Sequence, residues 1–292
     1  QVVDPNLNGN HDEDIFFGAV HMHTSSENSS LKDAHQPIFT KPLHLKHQRQ
    51  ATYGTDPASP EVRRGRRVFT FARNSRLSHQ GQMACATCHL EGTEDKLVWI
   101  TDGPRQTMSL AGRVANTGPF NWLGSRGALK DNMQQTVKRM GGAGLTGQEL
   151  ADLEAFMVEG LQAPVNPYLD TLDATEVQLG KQIFVEKCST CHSGDKFTDG
   201  ETWNVGTANE AELITREELI AMGDTELPPP GFFNTPSLQD LWYTAPYLHS
   251  GSANTLMEVL DQTAATKMQR IGQSWDLELE DRQALVAYLL TL

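Results

Sequence analysis

The chain of 292 residues is long enough for two ordinary domains, and its formal net charge of −13 gives an isoelectric point near 5.2. This acidic balance excludes nucleic acid as the expected partner and argues against an anionic membrane surface, while a basic protein or a neutral small molecule stays open. No apolar run is long enough to cross a bilayer, so we expect a soluble protein with no membrane span. Apolar residues make up only 38% of the chain, which is little for two cores unless another apolar group helps to fill them.

Residues 1–57 are rich in His, Asn, Asp and Ser and show little periodicity, which predicts an irregular N-terminal extension. The run Asp4–Gly9 resembles the start of a calcium loop, but Ile15 stands where that loop needs a bidentate Glu. A solvated turn is therefore predicted, and calcium is a candidate cofactor that the sequence does not support. Four histidines of the extension are expected at the surface rather than as metal ligands: His21, His23, His44 and His47.

All four cysteines lie in two copies of a Cys-X-X-Cys-His pattern: Cys85 and Cys88 with His89, and Cys188 and Cys191 with His192. This pattern is the attachment signature of c-type haem, because both thiols can add to the haem vinyl groups while the next residue places an imidazole on the iron. The sequence therefore predicts two covalently bound haems, with His89 and His192 as the proximal iron ligands. Since c-type haem is typical of exported proteins, we expect a periplasmic or extracellular location.

Three other uses of these cysteines fit less well. Zinc-binding pairs normally recur within about 15 to 20 residues, whereas 99 residues separate Cys88 from Cys188. Thioredoxin-like motifs need a βαβ pattern nearby, which neither copy has. Structural disulfides would give no reason for a histidine after both pairs.

An internal repeat surrounds the two motifs. A short amphipathic helix is predicted ahead of each, because Glu61–Phe69 recurs as Glu176–Phe184 at an offset of 115. Ser59 and Thr175 are the predicted N-caps of these helices. The first copy has 12 more residues between its helix and its motif, and we expect them to form a loop over the first haem.

The repeat resumes after each motif. Thr107–Leu110 matches Thr235–Leu238, and a terminal helix is predicted for each copy at residues 145–157 and 277–289. Between the copies, Ala163–Pro167 contains two prolines and would be accepted by neither a helix nor an inner strand. This stretch therefore predicts the boundary between two domains.

The predicted organisation is an N-terminal extension over residues 1–57, a first domain over 58–163 and a second over 164–292. Asn234–Ser252 resembles the segment that follows the second haem in the bacterial di-haem cytochrome c peroxidase and MauG superfamily, and residues 103–106 and the Trp122 segment resemble their counterparts less closely. The resemblance covers about residues 58–292.

The resemblance implies an all-α fold of two tandem class I cytochrome c-like domains with their haems facing one interface. It also implies that Arg105 binds the cofactor and that Trp122 lies between the haems as an inter-haem electron-transfer residue. Tandem haems of this kind resemble the cytochrome module of larger exported proteins too, in which the module follows a β-propeller.

The distal iron ligands should decide the function, because iron with two strong protein ligands passes electrons while an open iron can meet peroxide or oxygen. Met140 lies 11 residues after Leu129, and Met268 lies 12 after the matching Leu256. We therefore predict Met140 and Met268 as axial ligands. The bland alternative is that such methionines fill the core.

Two functions stay open. The first is electron transfer through two haems, with a redox partner protein or a partner domain. The alternative is a di-haem peroxidase or MauG-like oxidase acting on hydrogen peroxide, with the first haem as the reactive site. The sequence departs from the peroxidases, because no histidine lies between His89 and Trp122 and because Arg139 replaces the carboxylate expected just before Met140.

Overall fold

The computed structural model describes residues 56–221, 227–261 and 275–292. The calcium-like run, the four histidines of the N-terminal extension and Met268 lie outside the described residues. Pro57–Leu292 form one compact unit. No helix in the described part of the chain is long and apolar enough to cross a membrane.

The described residues are mostly helical. The α-helices are α1 (Pro60–Thr70), α2 (Cys85–Cys88), α3 (Leu129–Arg139), α4 (Gly147–Ala155), α5 (Ala174–Lys187), α6 (Glu210–Ala221), α7 (described over 256–261) and α8 (Leu279–Leu289). Shorter helical turns occur at His79–Gly81, Leu90–Gly92, Phe156–Gly160, Leu169–Thr171 and Leu241–Tyr243. The helices predicted ahead of the motifs and at the end of each copy correspond to α1, α5, α4 and α8.

The prediction of a helical fold is confirmed in its main part, and two small antiparallel sheets are present in addition. Strands β1 (Val98–Ile100) and β2 (Pro104–Gln106) pair with each other, as do β3 (Thr202–Trp203) and β4 (Phe233–Asn234). Each strand has only two or three residues, too few to give the alternating pattern that identifies a strand in a sequence.

One of the two predicted helix caps is correct. Ser59 precedes Pro60, and its side chain accepts a hydrogen bond from the Val62 amide at 3.2 Å. The prediction for Thr175 is wrong, because α5 begins at Ala174 and the Asp173 carboxylate accepts the amides of the first turn. A carboxylate at this position also interacts favourably with the positive end of the helix.

Two hydrophobic clusters form the core, and each draws its buried residues from one copy of the repeat. The first cluster runs from Val62 to Leu161, and the second from Ile183 to Leu289. Neither takes residues from the Ala163–Pro167 stretch, although the domain boundary placed there remains a prediction.

The repeated glycines explain how each copy closes. Helix α1 packs on α4 and α5 packs on α8. A Cβ atom on Gly65 would overlap the carbonyl oxygen of Asp152, and one on Gly180 would overlap the carbonyl oxygen of Ala284. A glycine is therefore needed at the same contact in both copies, because only a residue without a side chain lets the two helices approach this closely.

We expect Gly65→Ala and Gly180→Ala each to lower the free energy of unfolding by about 1–3 kcal/mol, the usual cost of overpacking. Gly147→Ala is the matched control, because a Cβ there would meet no atom within 4 Å. Urea unfolding followed by circular dichroism measures the three values. Equal stability of Gly65→Ala and Gly147→Ala would contradict the proposed close contact.

Candidate functional site

The first Cys-X-X-Cys-His motif opens onto a cavity of about 480 Å³, and its cysteines form the single turn of α2. The His89 ring sits at the end of this turn with Nδ1 3.3 Å from the carbonyl oxygen of Thr93. A carbonyl acceptor places the ring proton on Nδ1, so Nε2 is the nitrogen able to bind a metal. Cys88, His89 and Met140 all line the cavity.

The second motif repeats the contact between the histidine ring and a backbone carbonyl oxygen. Cys188 is the C-cap of α5, and Nδ1 of His192 lies 3.0 Å from the carbonyl oxygen of Phe197. The adjoining cavity of about 300 Å³ is lined by Cys188, Cys191 and His192 and by apolar side chains. These side chains come from α5, α7 and α8: Phe184, Leu256, Leu260, Leu285 and Leu289. Both cavities lie in the size range usual for cofactor sites.

The four thiols form no disulfide. Burial raises the pKa of Cys85 and of Cys188 to about 12. Redox-active thiol pairs instead have a lowered pKa, because they react as thiolates. In both places, neutral thiols lie beside an imidazole that can bind a metal and beside a large, mainly apolar cavity. This combination fits a covalently bound haem.

The two cavities share one wall. Residues 106–109, residues 234–237, Arg113 and Trp122 line both of them. Hydrogen bonds cross this wall, since the indole Nε1 of Trp122 donates to the Gln106 carbonyl oxygen at 2.8 Å and the Asn234 amide donates to the Trp122 carbonyl oxygen at 2.9 Å. The predicted position of Trp122 between two sites therefore corresponds to a side chain that faces both cavities.

Arg105 lines the first cavity, but its guanidinium already has protein partners. It donates to the Glu212 carboxylate and to the carbonyl oxygens of Asp102 and Pro104. Its predicted role in cofactor binding remains a prediction.

Arg105 belongs to a group of buried charged and polar side chains that also includes Glu212 and His249. The other oxygen of the Glu212 carboxylate lies 3.0 Å from Nε2 of His249, whose ring stacks on Phe233 at 3.9 Å and lines the second cavity. Burial raises the pKa of Glu212, but the hydrogen bond to His249 and the charges of His249 and Arg105 outweigh it, so the pKa lies below its ordinary value of 4.5. Glu212 therefore stays ionised and holds both partners. No pattern in the sequence predicts this group of buried charges, because α6 has no counterpart in the first copy.

Several methionines line the first cavity and are candidates for the axial iron ligand predicted at Met140. Met140 is the C-cap of α3 and lines the first cavity, as do Met83, Met108 and Met157. Among the methionines in the described part of the chain, only Met108 lines the second cavity. The methionine predicted for that haem, Met268, lies outside the described residues.

Asp102 places a carboxylate at the first cavity, which was not predicted from the sequence. Its Oδ2 lies 3.0 Å from Nη2 of Arg139, and both residues line the cavity. No other carboxylate from the described residues lines this cavity. Asp102 sits 38 residues before Met140, so proximity in the sequence could not have identified it.

A matched Asp–Trp pair follows each motif, which the sequence analysis also missed. The Trp99 indole donates to Asp95 at 3.0 Å, and the Trp203 indole donates to Asp199 at 2.9 Å. The two residues of each pair are four positions apart, and the tryptophan lies on the first strand after its motif. The equal spacing is the signal that could have revealed it.

Several known proteins are similar to this chain in sequence. A family model described as RoxA-like, cytochrome c-like matches residues 232–269. The methylamine utilization protein MauG of Methylorubrum extorquens is 26% identical over 92% of this chain and 88% of its own length. The cytochrome c peroxidase Ccp of Escherichia coli is 23% identical over 77% of this chain and 57% of its own length.

Among solved structures, hydrazine synthase of Kuenenia stuttgartiensis, pressurised with xenon, has a TM-score of 0.62 at 22% identity, covering 88% of this chain and 100% of that chain. These similarities support a likeness of this chain to the di-haem MauG and cytochrome c peroxidase superfamily. At this identity the solved structure shows the fold alone. The family's members imply that haem is covalently bound here as well.

We expect Glu212→Gln to lower the free energy of unfolding at pH 7 by about 3 kcal/mol, because breaking a buried ion pair leaves its partners uncompensated. A carboxylate whose pKa is lowered by folding stabilises the protein at pH values above the pKa it has in the unfolded chain. This stabilisation is lost as the pH falls through the pKa of the folded state. The gap between variant and wild type should therefore narrow below pH 4.5.

Urea unfolding at pH 7 and at pH 4 measures this gap. Glu217→Gln is the control, because it removes a carboxylate from an exposed position of the same helix. A gap that is the same at both pH values would contradict the ionised Glu212.

Proposed function

We propose that this chain is a di-haem c-type cytochrome that transfers electrons through two covalently bound haems, one in each of two tandem class I cytochrome c-like domains. The observation that carries the proposal is the shared wall between two cavities, each of which adjoins a Cys-X-X-Cys-His motif. When bound, haem supplies an iron centre that gains and loses one electron.

The residues of the chain hold and orient the two groups. Cys85, Cys88, Cys188 and Cys191 provide the thiols for attachment. His89 and His192 present Nε2 because backbone carbonyls occupy their Nδ1 atoms. Trp122 places an aromatic ring in the wall that both cavities share, which gives electrons a short path through packed atoms.

The setting of the protein belongs to the same proposal. Covalent haem attachment suits an exported, periplasmic or extracellular protein. The electron partner is then a second redox protein or a partner domain, and the acidic net charge of −13 favours a partner with a basic face.

A pyridine haemochrome assay should give two haems per chain, because each motif has two thiols and an imidazole beside its own cavity. Cys188→Ala should retain the second haem through a single thioether, and mass spectrometry of the corresponding peptide measures this. Recovery of colourless protein, or of one haem per chain, would overturn the proposal.

Met140→Ala should create a high-spin signal at the first haem and allow the reduced protein to bind carbon monoxide there, if Met140 is the axial ligand. Absorption and electron paramagnetic resonance spectra measure both effects. Met83→Ala is the matched control, since Met83 lines the same cavity. The result is contradicted if Met83→Ala opens the haem and Met140→Ala does not. Met268→Ala gives the corresponding test at the second haem.

A second candidate is a peroxidase or MauG-like oxidase acting on hydrogen peroxide at the first haem. The observation that favours it is the Asp102 carboxylate beside Arg139 in the first cavity, because a carboxylate there can move a proton and a guanidinium can stabilise negative charge. Wild-type protein that is already high-spin at the first haem, and unchanged by Met140→Ala, would favour this candidate over electron transfer alone.

A further inference from the structure

Arg113 occupies the wall between the two cavities and lines both of them. One guanidinium nitrogen, Nη2, donates to the carbonyl oxygen of Ser237. The other, Nη1, is shielded from solvent and has no hydrogen-bond partner among the described residues. A buried cationic donor without a partner is costly, so this nitrogen indicates a group that the protein atoms do not supply.

The neighbouring acidic groups do not meet this need. Asp240 and Glu94 lie close enough to interact with Arg113 electrostatically, yet neither accepts a hydrogen bond from it, and the Glu94 carboxylate is engaged by Lys96. Burial lowers the pKa of Arg113, which is the effect of placing a charged group where water cannot solvate it. The missing partner of Nη1 is therefore a hydrogen-bond acceptor, and an anionic acceptor would also neutralise the buried positive charge.

Haem carries two propionate carboxylates, and each of the two N–H groups on Nη1 can donate a charge-assisted hydrogen bond to one carboxylate. Arg105 is less available for this task, because Glu212 already neutralises it. We propose that Arg113 is a shared anchor whose guanidinium binds a propionate of each of the two haems. The proposal rests on the proposed function, since it requires a haem in each cavity.

A shared cation has a consequence that two separate anchors would not have. Removing a positive charge near a haem favours the ferric state and lowers the reduction potential. Arg113→Gln should therefore lower the potentials of both haems in the same direction, whereas a residue that binds one propionate would change one potential.

The test is a spectroelectrochemical titration of the haem-loaded chain, with the pyridine haemochrome assay run on the same samples. Lys138→Gln is the control, because it removes a positive charge from an exposed position of α3. We expect both potentials to fall in Arg113→Gln and neither to change appreciably in Lys138→Gln. A change in only one potential, or in neither, overturns the shared anchor.

Arg113→Lys keeps the test decisive if the glutamine variant does not load haem. A lysine preserves the charge but loses the forked geometry, so the propionate bending bands of both haems should shift in the resonance Raman spectrum. Unshifted bands would mean that a buried water, not a propionate, satisfies Nη1. Two haems per chain with unshifted bands in Arg113→Lys would refute the anchor and leave the proposed function standing. One haem per chain in the wild-type protein would refute both.

Discussion

The wall between the two cavities is the feature on which the rest of the site depends. Residues 106–109 and 234–237 come from equivalent places in the two copies of the repeat, and both segments line both cavities. Hydrogen bonds join the copies here, from the Gln106 amide to the His249 carbonyl oxygen and from the Asn234 amide to the Trp122 carbonyl oxygen. Because each copy satisfies backbone groups of the other, the two haem motifs are held beside one another and not at opposite ends of the molecule.

The charged groups around this wall are divided between structure and function. Glu212 neutralises the charge of Arg105 and fixes His249, although Nε of Arg105 has no hydrogen-bond partner among the described residues. Arg113 differs, because no carboxylate among the described residues accepts a hydrogen bond from it, and its Nη1 has no partner there. A buried charge that is paired with a protein group stabilises the fold, whereas a buried charge without a protein partner indicates a ligand.

The chemistry available at the first cavity separates the two candidate functions. Four methionines line it, and any of them that binds the iron closes it to small ligands. Asp102 and Arg139 line the same cavity and would assist a reaction with peroxide only if the iron were open. Electron transfer through the wall is common to both functions, because a di-haem peroxidase also needs to move an electron from one haem to the other.

The sequence alone determined the attachment chemistry, the repeat and the main helices, because these depend on residue types at short fixed spacings. The Cys-X-X-Cys-His pattern and the helix around Gly65 and its repeat are local features of this kind. Tertiary structure decided which residues face the cavities, since Asp102, Arg113 and Glu212 reach the site from separate segments and follow no periodic pattern. The caps and short strands lay between these cases: the Asp173 carboxylate accepts hydrogen bonds from the Thr175 and Glu176 amides, so the helix begins before Thr175 and Thr175 lies inside it. Contacts between distant segments depend on how the two copies pack, and no spacing within either copy encodes that packing.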